Sequence, residues 1–251
     1  MLNIIFSPSR RFQSLSEKPV WVIPFVLALL LPLLIGNLTV VLLPRSALIT
    51  TAEERIARAK DFIDQQVEKG RMPADQREMA MDRIDAASRS ELEFYQNASK
   101  PGLFLRFLLR SIPALLWSAL QIFLWATILN LLLPLLGATT SFARTFAITT
   151  NSALIRVPSA LFHSLLMLTT GKLTVTTNLA LAFPAIPLYL KGLLSCIDIF
   201  TIWELILVSL GLKTVFNLQM KWITLVVFSL WLVYILLLAG LLTLSGGLAI
   251  Q

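Results

Sequence analysis

The chain has 251 residues, 57% of them hydrophobic and 14% charged, with a mean hydropathy of +0.79. That composition excludes an ordinary soluble domain and assigns the chain to the bilayer. The net charge of +7 does not mark a nucleic-acid binder: residues 45–100 hold ten Lys/Arg against eleven Asp/Glu, and the other cations flank apolar runs.

Residues 1–18, MLNIIFSPSRRFQSLSEK, read as a cytoplasmic amphipathic lead-in. Ile4, Ile5, Phe6, Phe12 and Leu15 could lie on the membrane while Arg10, Arg11 and Lys18 face anionic headgroups. An ordinary helical approach to the first span fits equally well. Charge-free runs follow at 19–44, 111–143 and 222–251, each able to cross a hydrocarbon core of about 30 Å. The first outlasts the h-region of a signal peptide and is closed by no small-x-small cleavage site, so 19–44 is predicted to stay as transmembrane helix one.

Residues 45–103 differ in kind and predict an extracytoplasmic helical hairpin inserted between spans one and two. Thr51 and Glu54 have the spacing of a capping box. Ile56, Ile63 and Val67 recur at helical spacing; Gly70 and Pro73 then break the pattern. Met81, Ile84, Leu92 and Tyr95 form a second thin stripe. So thin a seam calls for support from the membrane domain or a partner.

Residues 104–251 are expected to continue as a membrane domain with spans two to five, at about 105–136, 146–169, 193–212 and 221–244. The piece 179–190, with Pro184 and Pro187, is too short and broken to cross and reads as interfacial or re-entrant; a sixth span follows only if 174–190 crosses. Arg10, Arg11, Lys18, Arg144, Lys213 and Lys221 on one side, against Lys172 and Lys191 in the short opposite loop, favour a cytoplasmic N-terminus. Arg45, Lys100, Arg106 and Arg110 beside the insertion weaken that bias.

Few residues could carry chemistry. Arg156, Ser159 and His163 share a face of span three, and Asp198 and Glu204 are the acids near the later spans. A charge inside a span needs a partner, so Arg156 is expected to pair with Asp198 or Glu204. These four ionisable residues could instead line a path for protons or ions. One histidine and one cysteine make a metal site improbable, and Cys196 has no partner for an intrachain disulfide. No nucleophile elbow is present, and Gly171-Lys172 is followed by Leu173, which excludes a phosphate loop. No enzyme activity and no cofactor are predicted. Ala239, Thr243 and Gly247 form a small-residue row on the last helix, a weak association signal that leaves a homo-oligomer open.

Three stretches together resemble one family. FSPSRRFQSLSEKPVWVIP (6–24), SFARTFAITTNSALIRVPSAL (141–161) and IDIFTIWELILVSLGL (197–212) are similar in order and spacing to bacterial proteins with the Yip (Ypt-interacting protein) domain. The last carries an Asp-x-Phe-x-x-Trp segment leading to a glycine, here Asp198, Phe200, Trp203 and Gly211. The resemblance implies an all-helical, five-span polytopic protein of the bacterial inner membrane with a cytoplasmic N-terminus. It implies membrane-protein partners, since eukaryotic members bind prenylated small GTPases and a bacterial relative helps an ABC transporter complex assemble. The expectation is therefore a non-enzymatic scaffold or assembly partner in the lipid bilayer. A transporter or channel component is the alternative, and an intramembrane enzyme ranks last. Asp198 is predicted to be a structural residue, either capping the start of span four, work that Ser195 could share, or joining an ion pair.

Overall fold

The computed structural model describes residues 4, 7–139, 141–173, 175, 177–183 and 188–244, the side chains of 74, 188 and 241–244 excepted. Ile5, Phe6, Pro184, Pro187, Gly247 and the Thr243 side chain, to which sequence expectations attach, lie outside that set. Every regular element among the described residues is helical. In chain order these are α1 Pro8–Glu17, α2 Val22–Leu42, α3 Arg45–Glu68, α4 Ala74–Asn97, α5 Lys100–Arg110, α6 Ile112–Leu132, α7 Phe142–Ser152, α8 Arg156–Thr170, α9 Leu188–Ser195, α10 Ile199–Phe216 and α11 Met220–Leu244.

Five stretches are long and apolar enough to cross a membrane: Val22–Leu42, Lys100–Leu136, Phe142–Thr170, Ile199–Phe216 and Met220–Gly240. The 21 residues of α2 rise about 30 Å, one hydrocarbon thickness. The 174–190 region adds no further candidate among the described residues; its described part is a 3₁₀ turn, Leu179–Ala182, and the start of the short α9. Span four begins later than its hydropathy suggests. The chain leaves helix after Ser195 and re-enters at Ile199, because Asp198 takes an extended conformation and caps the new helix.

Span three is not one regular helix. Residues Ala153–Ile155 tighten into a 3₁₀ turn between α7 and α8. Pro158 explains the irregularity, since its ring offers no N–H and crowds the carbonyl four residues earlier, that of Leu154. Every residue from Thr145 to Ile155 is buried, the longest such run among the described residues.

The chain divides into two compact units. The first comprises Met1–Ile35, Ser111–His163 and Thr176–Gln251. Its core joins Ile122, Ala126 and Leu129 of α6, Ile148 of α7, Leu207 and Leu212 of α10, and Ile223 and Val227 of α11. Helix α1 belongs to this core. Phe12 and Leu15 are fully buried, against α10 and α7, so these two side chains serve the bundle and do not lie on a membrane surface.

The second unit comprises Gly36–Arg110 and Ser164–Val175. Helices α3 and α4 form the expected antiparallel hairpin, turning through Gly70 at φ +67°, a conformation that favours glycine. Thr51 caps nothing: α3 already begins at Arg45, and the Thr51 hydroxyl donates to the Ala47 carbonyl at 2.8 Å. Starting after Pro44 adds residues 45–51 to the helix and buries Leu48, which a start at Thr51 would forgo. The unit's core is Val40, Leu48, Ala52, Tyr95 and Leu103, with Met167 and Leu173 packed on it, and this supplements the thin seam.

Ion pairs fasten the hairpin. Lys60 meets Asp85 at 2.5 Å and Arg77 meets Asp64 at 2.7 Å. Glu91 collects Arg55 at 2.6 Å, Arg110 at 3.1 Å and the Tyr95 hydroxyl at 2.8 Å. Burial alone would raise the Glu91 carboxyl, but hydrogen bonds from Arg55, Tyr95 and Arg110 hold it down at about 2. Arg45 donates to the Gln96 and Ala98 carbonyls, closing the end of α4. The Arg106 guanidinium lies 4.0 Å from the Phe94 ring centre.

Candidate functional site

Within the first unit, several polar side chains of the apolar helices line one cavity of about 330 Å³. Gln121 comes from α6, Arg156 and Ser159 from α8, Asp198, Thr201 and Glu204 from the start of α10, and Tyr234 from α11. The 3₁₀ turn before Arg156 and the break before Ile199 put these residues at two adjacent helix starts. Trp125 and Trp231 supply apolar wall.

Arg156 is paired with Glu204, and the pairing is two-pronged. Its Nε donates to one carboxylate oxygen at 3.1 Å and its Nη2 to the other at 3.0 Å. Both side chains are about three-quarters shielded, at 25% and 23% exposure. The fork matches guanidinium to carboxylate and removes the cost of a lone intramembrane charge. No ion pair joins Arg156 to Asp198, the other acid its position allowed.

Asp198 is the N-cap of α10. Its Oδ1 accepts from the backbone N–H groups of Phe200 at 2.7 Å and Thr201 at 2.9 Å, and its Oδ2 accepts the Thr201 hydroxyl at 2.9 Å. A carboxylate at this end also meets the positive pole of the helix. Ser195 takes no part, since its hydroxyl donates backward to the Gly192 carbonyl.

His163 is not among the cavity's walls. Its Nδ1–H donates to the Ser159 carbonyl at 2.8 Å, and its Nε2 accepts the Thr177 hydroxyl at 2.8 Å, as a carbonyl can only accept. The imidazole ring also lies against Phe200, 6.2 Å between centres. The shared face of span three thus places Arg156 and Ser159 at the cavity, with His163 one turn beyond it on the 177 segment.

The remaining motif residues have packing roles. Trp203 and Phe200 are partly buried against the core. Gly211 is fully explained by approach: a Cβ there would stand 2.5 Å from Ile148 Cγ2 and 2.8 Å from the Phe12 ring. Only a glycine lets α1, α7 and α10 meet so closely. Nearby, Asn151 accepts from Arg11 Nε at 3.0 Å and donates to the Val20 carbonyl at 3.1 Å, tying α7 to the start of the chain.

The scan against family models decides what this arrangement belongs to. The Yip1 domain model matches residues 2–242, nearly the whole chain and all three stretches quoted above. The chain belongs to the Yip1 domain family. The Yip1 match runs through the hairpin as well as the bundle, so 45–103 lies within the matched region. Neither the curated proteins nor the solved structures contain a match to the chain. The protein is thus an integral membrane member of the Yip1 family with five helical candidate spans. Among the described residues no three His, Cys, Asp or Glu side chains converge as a metal site.

Gln121, Tyr234 and Asn151 were not singled out in the sequence. The signal was present for two of them: Gln121 and Tyr234 are each a lone polar side chain in an apolar run, whereas Asn151 stands among Thr149, Thr150 and Ser152. Gln121 Nε2 donates to the Tyr234 hydroxyl at 3.3 Å. Arg11 looked like a headgroup contact and is instead a ligand of Asn151.

Proposed function

We propose that this Yip1-family protein is a non-enzymatic scaffold or assembly partner for another integral membrane protein, such as an ABC transporter complex, with its N-terminus in the cytoplasm. The observation that carries the reading is the closure of the intramembrane charges. Arg156 and Glu204 pair with each other, Asp198 caps a helix start, and His163 is held between Ser159 and Thr177. A proton or ion relay needs titratable groups in succession, and these form separate local bonds instead. The hairpin at 45–103, with its exposed charged faces, offers the water-exposed surface such a partner would meet.

A transporter or channel component is the second reading, favoured by one observation, the cavity at Arg156, Asp198 and Glu204. The two part on His163. A scaffold predicts that His163→Ala keeps its membrane abundance, its co-purifying membrane partner and its cellular phenotype, since a local hydrogen bond worth about 0.5–1.5 kcal/mol is lost. A relay through span three predicts full abundance with function abolished. That second outcome, with the partner still bound, would end the scaffold reading.

A further inference from the structure

The first unit contains two openings with different linings, one of polar groups set in apolar wall and one wholly apolar. The polar cavity carries Arg156, Glu204, Asp198, Thr201, Ser159 and Gln121. A groove of about 510 Å³ is lined solely by apolar side chains, among them Leu190, Leu194, Leu232 and Leu236. Ile235 borders both. The cavity's 330 Å³ is at the lower end of the roughly 300–1,000 Å³ of small-molecule sites, a size suited to a headgroup. A pocket with charged groups that shares a wall residue with a purely apolar groove has the chemistry of an amphiphile.

We propose that the two openings hold one phospholipid with a primary-amine headgroup, its phosphate and amine in the polar cavity and an acyl chain along the groove. The charge balance selects the headgroup. Arg156 and Glu204 cancel, which leaves Asp198, the N-cap of α10 with no cation paired to it, as the net negative charge at the cavity wall. Asp198 Oδ1 accepts two backbone N–H groups, whereas Oδ2 accepts only the Thr201 hydroxyl and retains capacity for an ammonium N–H. Arg156 uses Nε and Nη2 on Glu204, and Nη1 is the prong left for a phosphate oxygen. A trimethylammonium has no N–H to give Asp198, and a glycerol headgroup has no positive charge. Phosphatidylethanolamine meets both demands. The proposal depends on neither the scaffold nor the transporter reading.

The test uses the full chain in mild detergent and native mass spectrometry. Phosphatidylethanolamine, phosphatidylcholine and phosphatidylglycerol with identical acyl chains are compared with soluble phosphoethanolamine. One phosphatidylethanolamine should be retained per chain, about tenfold or more tighter than the other two lipids, the scale of one charge-assisted hydrogen bond. Phosphoethanolamine at equal concentration should not displace it, because it forgoes the groove. Asp198→Asn keeps an oxygen for the cap and should bring phosphatidylethanolamine to the phosphatidylcholine level. Leu194→Trp, which fills the groove, should weaken every lipid alike. Equal retention of the three lipids by the wild-type chain overturns the headgroup assignment without reference to any variant. Displacement by phosphoethanolamine overturns the lipid itself, as does an Asp198→Asn chain that keeps its full preference.

Discussion

Gly211 and Asp198 are neighbours in one motif and do unrelated work, which only the geometry separates. At Gly211 the constraint is volume. A methyl group would meet Ile148 at 2.5 Å and Phe12 at 2.8 Å, and both neighbours are buried, so neither can swing away. Gly211→Ala should cost about 1–3 kcal/mol as an overpacked core, read as a lowered midpoint of thermal unfolding in detergent. Phe12→Leu in that background should recover part of the loss; an unshifted midpoint for Gly211→Ala contradicts the close approach. At Asp198 the constraint is hydrogen bonding. Asp198→Ala strands the N–H groups of Phe200 and Thr201 and should cost about 0.5–2 kcal/mol, while Asp198→Asn should cost little, since asparagine caps as well. Membrane abundance of the two variants side by side checks this; equal loss in both would mean that the charge, not the cap, matters for folding. Arg156 keeps its partner in either variant, because that partner is Glu204.

The hairpin is the element whose stability pH should control. Glu91 has a folded pKa of about 2 against an ordinary 4.5, so the ionised form is the one that folding favours. Its stabilising contribution is complete above about 4.5 and is lost progressively as pH falls from there toward 2. Amide exchange in α3 and α4, corrected for the intrinsic rate at each pH, should therefore accelerate on acidification through this window. Glu91→Gln should flatten the response, and exchange that is independent of pH in the wild type would remove Glu91 from the hairpin's support. That two helices occupy 45–103 was legible from the turn chemistry at Gly70 and Pro73 and from the apolar spacing. The start of α3 was not. Thr51 and Glu54 satisfy a local rule, but burial of Leu48 outweighs one capping pair, and burial is a tertiary fact. The same limit hid the place of α1, since Phe12 and Leu15 suit a lipid surface and a protein groove equally. The pairing of Arg156 was half legible. Two acids were available, and the choice fell to Glu204 once Asp198 was committed to the break that starts α10, a feature that hydropathy does not register.

Across the whole molecule, the order of spans constrains which ends share a compartment. Between Asp75 in the hairpin and Gln219 after α10 lie the second, third and fourth candidate spans, an odd number, so the two positions must face opposite sides. The cations set the expected orientation. Arg10, Arg11, Lys18, Arg144, Lys213 and Lys221 fall together on the side of Gln219, with only Lys172 and Lys191 in the short loop opposite. Three of the four cations that blurred this count beside the hairpin are engaged within it: Arg45 on the Gln96 and Ala98 carbonyls, Arg110 on Glu91, Arg106 over Phe94. Near-neutral and folded on its own charges, the hairpin offers little to retain it in the cytoplasm, so the positive-inside bias of the other segments should prevail. In a Cys196→Ser background, Asp75→Cys should react with a membrane-impermeant maleimide in intact cells and Gln219→Cys only after the membrane is opened. Both positions are exposed, so access is decided by the bilayer and not by packing. The reverse pattern would invert the orientation and move the hairpin to the cytoplasm, where a soluble partner could meet it. Labelling of both from one side would mean that an even number of segments crosses between them, and the 174–190 piece would then be the first to suspect.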